Sequence, residues 1–184
     1  MKVFSSVTDP EIAQILAAGG IGVLRTDTLY GVVARADDDA AVRRVYELKG
    51  RDDDKSPILL VSSVNDVYDE LAPEHRAYVD RAWPGPVSVI VPSLHAPSWI
   101  RRGNDSVAYR MPDDAELREL LASTGPLIAP SANPQGMQPA MNAQEAKYYF
   151  GNKVDFYIDQ GTVESREPSK LVRLSEDGGV TRLR

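Results

Sequence analysis

Thr26, Asp27, Thr28 and Tyr30 fall within five residues, and Gly31 follows them directly. Hydroxyls and a carboxylate at a strand end, beside a glycine that lets the backbone turn, make a seat for a small polar ligand. A β-turn whose threonines merely cap the next segment has the same residues. Lys49, Arg51 and Lys55 form a second group around Gly50. At a helix C-terminus such cations complement the dipole. They can equally grip a polyphosphate, arginine with a planar fork and lysine as a point charge. Arg110 ends the apolar run Val107-Ala108-Tyr109 and stands just before Met111-Pro112. A guanidinium inside so apolar a strand needs a partner, and a ligand anion is one candidate. Ser131 and Asn133 lie between Pro130 and Pro134. Their side chains, with backbone N–H groups in a proline-fixed loop, suit phosphate oxygens, and an Asx turn would use the same residues.

Several familiar devices are missing from the sequence. No G-x-x-x-x-G-K-[ST] run occurs. Gly19-Gly20-Ile21-Gly22 does not match G-x-G-x-x-G, and it precedes an apolar run where that fingerprint follows one. It reads as a helix stop. The chain has no cysteine, which excludes thiolate chemistry and favours a cytoplasmic setting. His75 and His95 are far apart, outside any metal spacing, and each reads as a surface or helix residue. The net charge of −6 argues against coating nucleic acid by bulk charge and leaves room for a local basic pocket. No apolar run approaches the ~20 residues of a membrane span. The N-terminus lacks the apolar core of a signal peptide.

The elements that must position these groups follow from periodicity. At 184 residues with no evident linker, residues 1–184 read as one domain with an ordinary core. Thr8-Asp9-Pro10-Glu11 reads as a capping box for a helix carrying Ile12, Ile15 and Leu16. Ile21–Leu24 reads as a buried strand, followed by the threonine turn. Asp37-Asp38-Asp39 caps a helix with Val42, Val45 and Tyr46 on its apolar face, running out at Lys49-Gly50-Arg51. Further strands are expected over 58–61, 87–91, 107–111, 127–129, 156–158, 171–174 and 180–183. Helices are expected over 64–71, 73–82, from Asp113-Asp114 to Gly125, and over 143–150. Trp83-Pro84-Gly85-Pro86 must break the chain. Interleaved helices and strands, with strand pairs late, make an α/β fold with a mixed sheet.

Five motifs then occur in order: Thr26-Asp27-Thr28-Leu29-Tyr30-Gly31, Lys49-Gly50-Arg51, Trp83-Pro84-Gly85-Pro86, Val107-Ala108-Tyr109-Arg110-Met111-Pro112 and Pro130-Ser131-Ala132-Asn133. In this the chain resembles the YrdC/TsaC family of threonylcarbamoyl-AMP synthases, from about Ile12 to Arg182. The resemblance implies a twisted mixed β-sheet with flanking helices around a concave, positively charged cavity. It implies that L-threonine, bicarbonate and ATP, with Mg2+, give threonylcarbamoyl-adenylate and pyrophosphate. A separate transferase complex then modifies tRNA. By the family pattern, Thr28, Arg110 and Ser169 would face threonine. Lys49, Arg51, Lys55, Ser131, Asn133 and Arg182 would hold ATP, with Lys49, Arg51 and Arg110 closest to the chemistry. No metal ligands are assigned.

The chain departs from that pattern at four positions and in one acidic run. Arg25 and Asp52 stand where proline is usual, Gln135 replaces a common serine, and Lys170 replaces a threonine. Asp52-Asp53-Asp54 sets three carboxylates beside groups meant for phosphate. Weak tRNA binding is a further expectation, and the alternatives are a non-catalytic nucleotide- or RNA-binding module, a related carbamoyl-adenylate chemistry as in hydrogenase-maturation proteins, and a diverged copy that binds nucleotide without turnover.

Overall fold

A computed structural model describes residues 1–52, 54–165, 167–175 and 179–184 of the chain. Asp53, the middle carboxylate of the acidic run, lies outside them. The strands are β1 (Lys2–Phe4), β2 (Gly22–Arg25), β3 (Tyr30–Arg35), β4 (Ile58–Leu60), β5 (Val87–Pro92), β6 (Ser106–Arg110), β7 (Leu127–Ile128), β8 (Phe156–Ile158), β9 (Lys170–Leu174) and β10 (Val180–Arg182). The α-helices are α1 (Pro10–Ala17), α2 (Asp39–Lys49), α3 (Pro73–Ala82), α4 (Ser98–Arg101), α5 (Ala115–Thr124) and α6 (Ala143–Phe150).

One twisted sheet joins the ten described strands in the order β1-β8-β2-β3-β7-β4-β6-β5-β9-β10. It is mixed: β4 pairs β6 and β5 pairs β9 in parallel, while β2 pairs β3 and β5 pairs β6 antiparallel. Alternation along the strands sends side chains to two cores. Tyr30, Val32 and Ala34 join one cluster, which α2, α3 and α6 cover with Val45, Val79 and Phe150. Val33, Leu24 and Leu60 join the other, covered by Ile12 and Leu16 of α1 and Leu117 and Leu121 of α5. Helices therefore flank both faces.

Caps explain most of the helix starts. Asp38 accepts from Ala41 N–H, Asp114 from Leu117 N–H and Asn142 from Glu145 N–H, each satisfying a donor of the first turn. The Thr8 capping box is corrected: Asp9 is the N-cap and accepts from Glu11 N–H. The Thr8 hydroxyl is engaged by Ser6 instead, at 2.7 Å. The helix expected over 64–71 is one short 3-10 turn, Val64–Asp66, held by reciprocal bonds between Ser63 and Asp66. The chain after α3 breaks as expected, with a cis Trp83–Pro84 peptide. Four elements were not expected: β1, β3, α4 and the 3-10 turn Gly151–Lys153.

Candidate active site

The threonine turn is a hairpin loop. β2 and β3 pair from Arg25↔Tyr30 onward, so residues 26–29 form the connection. Thr26 stabilises it from inside: its hydroxyl donates to the Leu29 carbonyl at 2.7 Å and its N–H to the same oxygen at 2.9 Å. That leaves Thr28 to face a cavity of about 250 Å3. Arg51, Arg110, Ser131, Ser169 and Arg184 also line it, and no carboxylate lines it among the described residues. A wider outer cleft of about 660 Å3 shares Thr28, Pro168, Ser169 and Arg184 with it.

Arg110 comes off the end of β6 and runs beneath the hairpin. It donates to Thr28 Oγ1 at 3.0 Å and to Thr26 Oγ1 at 3.1 Å. Its guanidinium lies 3.3 Å from Asp27, both side chains being 6% exposed. The partners that the sequence left open are thus threonines and a carboxylate of the chain itself. Arg110 Nε and Asp27 Oδ1 nevertheless stay buried without a hydrogen-bond partner. Burial pushes the Arg110 pKa down from its ordinary value, Asp27 opposes this, and Arg184 adds to it.

Lys49 does not line the cavity. It is the last residue of α2, with Gly50 behind it in the left-handed region at φ 60°. Its buried ammonium donates to the carbonyls of Ser131 and Asn133, so it stands behind the Ser-Ala-Asn loop and braces it. Desolvation, aided by the like charge of Arg51, pushes its pKa down to about 7. Arg51 reaches the cavity wall, its guanidinium carbon 5.6 Å from the Tyr46 ring centre and one donor on the Ser56 carbonyl at 3.1 Å. Lys55 stays outside the cavity, exposed and ion-paired with Asp52.

Ser131 lines the cavity and bridges to Gly31. Its hydroxyl donates to Asn133 Oδ1 at 2.6 Å. The Asn133 amide donates to the carbonyls of Pro134 and Met137, so Asn133 shapes its own loop. Ser169 is buried, its hydroxyl 2.8 Å from that of Ser88. Arg182 is exposed on β10 and lines the outer cleft alone of the two chambers.

One contributor escaped the sequence reading. Arg184 lines both chambers, and its Nε donates to the Ser169 carbonyl at 3.2 Å. Its spacing of two from Arg182 in a strand pattern was the available signal. Tyr30 fixes the far wall: its hydroxyl donates to the Gly161 carbonyl at 2.7 Å and accepts from Gln160 N–H at 3.2 Å. Arg25, one of the departures, also holds this segment by donating to the Gln160 carbonyl at 3.0 Å.

The chain is similar to known proteins along most of its length. A sequence model of the Sua5/YciO/YrdC family, described as telomere recombination, matches residues 14–184. A relative from Marinobacter nauticus named threonylcarbamoyl-AMP synthase is 33% identical over 86% of this chain and 87% of its own. The crystal structure of Pyrococcus abyssi Sua5 complexed with L-threonine superposes with a TM-score of 0.88 at 29% identity, over 100% of this chain and 56% of that one. E. coli YciO shares the fold, with a TM-score of 0.84 at 18% identity, over 99% of this chain and 92% of its own. With the family model spanning all but the first residues and the threonine hairpin, Arg110 and the Ser-Ala-Asn loop gathered at one cavity, the chain belongs to the Sua5/YciO/YrdC family.

Proposed function

We propose that residues 1–184 act as one catalytic domain, an L-threonylcarbamoyladenylate synthase. It would convert L-threonine, bicarbonate and ATP into threonylcarbamoyl-AMP, pyrophosphate and water. The observation that carries this reading is the inner cavity. Three arginines and two serine hydroxyls meet there beside Thr28, with no carboxylate among the described lining residues. Such a wall suits anions: a carboxylate, a carbamate and phosphates. The names of the synthase relatives and the threonine bound by the P. abyssi protein support the same choice.

The chemistry asks little of the protein covalently. The threonine amine takes up CO2 or bicarbonate and becomes a carbamate. A carbamate oxygen then attacks the α-phosphorus of ATP, and the bond to pyrophosphate breaks. No protein nucleophile enters, and the chain's lack of cysteine costs it nothing. Catalysis reduces to alignment and charge neutralisation. In this reading Thr28 and Arg110 hold the threonine carboxylate, with Ser169 beside them. Arg51 and Ser131 take the triphosphate, and Arg182 and Arg184 reach it from the cleft side. Lys49 and Asn133 act by fixing the loop that carries Ser131. Lys55 would join the phosphates only by exchanging its Asp52 partner.

Among the described residues no group of three or more His, Asp or Glu is placed to hold a metal ion. Those residues thus offer no cage for a protein-held Mg2+. The product would feed a separate transferase complex that modifies tRNA in the cytoplasm. A protein of net charge −6 is expected to bind tRNA weakly at most. No described helix is long and apolar enough to cross a membrane.

The test is pyrophosphate release from ATP with and without L-threonine and bicarbonate, with serine as the control amino acid. Release that requires both threonine and bicarbonate supports the synthase. Bound ATP without release would turn the reading to a nucleotide-binding module.

A further inference from the structure

Asp52 and Gln135, two of the positions at which the chain departs from the family pattern, are bonded to each other. The Asp52 N–H donates to Gln135 Oε1 at 3.0 Å, and Gln135 Nε2 donates back to Asp52 Oδ1 at 2.9 Å. Gln135 N–H also donates to the Lys49 carbonyl at 2.7 Å. The Lys49 ammonium in turn holds the carbonyls of Ser131 and Asn133. Two loops far apart in sequence are therefore joined edge to edge. One carries Arg51 and the other Ser131, and both of these residues line the inner cavity. Asp52 and Gln135 line neither chamber.

The chemistry of the pair is specific. A side-chain amide bonds one residue's N–H and its carboxylate at once, which a serine at that position is too short to do and a proline at the other could not answer. Both residues are exposed, where polar pairs add little stability. What such a pair can do is fix a distance. We propose that Asp52 and Gln135 are a positioning clasp that sets the separation of Arg51 and Ser131 across the inner cavity, and so the affinity for nucleotide phosphates. This rests on the assignment of ATP to that cavity. The clasp also turns the Asp52 carboxylate away from the phosphates and onto Gln135 and Lys55.

The test compares wild type with Gln135→Ala, Gln135→Glu and Asp52→Asn/Gln135→Glu. ATP affinity is read by calorimetry, and kinetics are read with ATP and threonine varied separately. Gln135→Ala should raise the Kd and KM for ATP about fivefold, with kcat and the threonine KM changed less than about twofold. Gln135→Glu should be worse, because two carboxylates then face each other. Adding Asp52→Asn should restore affinity, because its amide can donate to the new carboxylate. Hydrogen exchange across residues 49–52 without nucleotide reports the clasp itself, and it should quicken in Gln135→Ala. Unchanged exchange, unchanged ATP affinity in all variants, or an equal fall in kcat and in affinity for both substrates would overturn the clasp. Wild type that binds no ATP would overturn the ATP assignment, and the clasp's role with it.

Discussion

Arg110 donates to the Thr28 hydroxyl across 3.0 Å, joining the end of β6 to a hairpin 82 residues earlier. The bond fixes the threonine that faces the cavity to the cation beneath it. Thr28→Val keeps the shape and removes the acceptor, leaving a buried guanidinium short of one partner. Loss of a hydrogen bond to a charged group is worth ~1.5–3 kcal/mol. The KM for threonine should rise about tenfold or more, with the ATP KM nearly unchanged. Equal loss for both substrates would show the hairpin to be structural only.

Arg51 is the cation of the Lys-Gly-Arg motif that reaches the cavity wall. Arg51→Ala removes a charge-assisted contact of ~1.5–3 kcal/mol, so ATP affinity should fall roughly tenfold or more. Lys55→Ala, which breaks only the exposed pair with Asp52, should move ATP affinity by less than about threefold. A calorimetric titration of both variants separates the two cations.

Lys49 should make stability depend on pH. Its folded pKa of about 7 lies below the unfolded value of ~10.4. Between these values the unfolded chain binds the extra proton, so stability rises with pH across that window. Below pH 7 both states are charged and the full desolvation cost remains. Thermal melts from pH 7 to 10 should climb more steeply for wild type than for Lys49→Met. Parallel curves would place the ammonium in a far wetter setting.

Gly22 of β2 sits against Phe156 of β8, and a methyl group there would meet the ring at 2.2 Å. Overpacking of this kind costs ~1–3 kcal/mol. Gly22→Ala should lower the melting temperature, and Phe156→Leu in the same chain should recover part of the loss. Additive losses in the double variant would mean the strands shift instead of clashing.

Much of the fold was legible because its signals are local. Asp38, Asp114 and Asn142 cap helices in the way their positions suggest. β3 was missed because both of its faces are buried, so Tyr30–Arg35 shows none of the alternation of a half-exposed strand. The helix expected over 64–71 failed because Ser63 and Asp66 close a single turn on each other. At the site, residue types were readable and side-chain direction was not. Lys49 continues the stripe Val42, Val45 and Tyr46 of α2, a spacing that already pointed it inward. Arg184 carries no motif, and only the pairing of β9 with β10 brings the late segment back to the cavity.

The cavity wall is drawn from residues that a ribosome delivers at widely separated times. Thr28 and Arg51 emerge early, Arg110 and Ser131 later, and Ser169 only after most of the sheet has been made. β9 then slots beside β5 and brings Ser169 against Ser88. A nascent chain thus has a nearly complete sheet before it has a site. A chain truncated before β9 should lose affinity for its substrates, because Ser169 and Arg184 would no longer line the cavity.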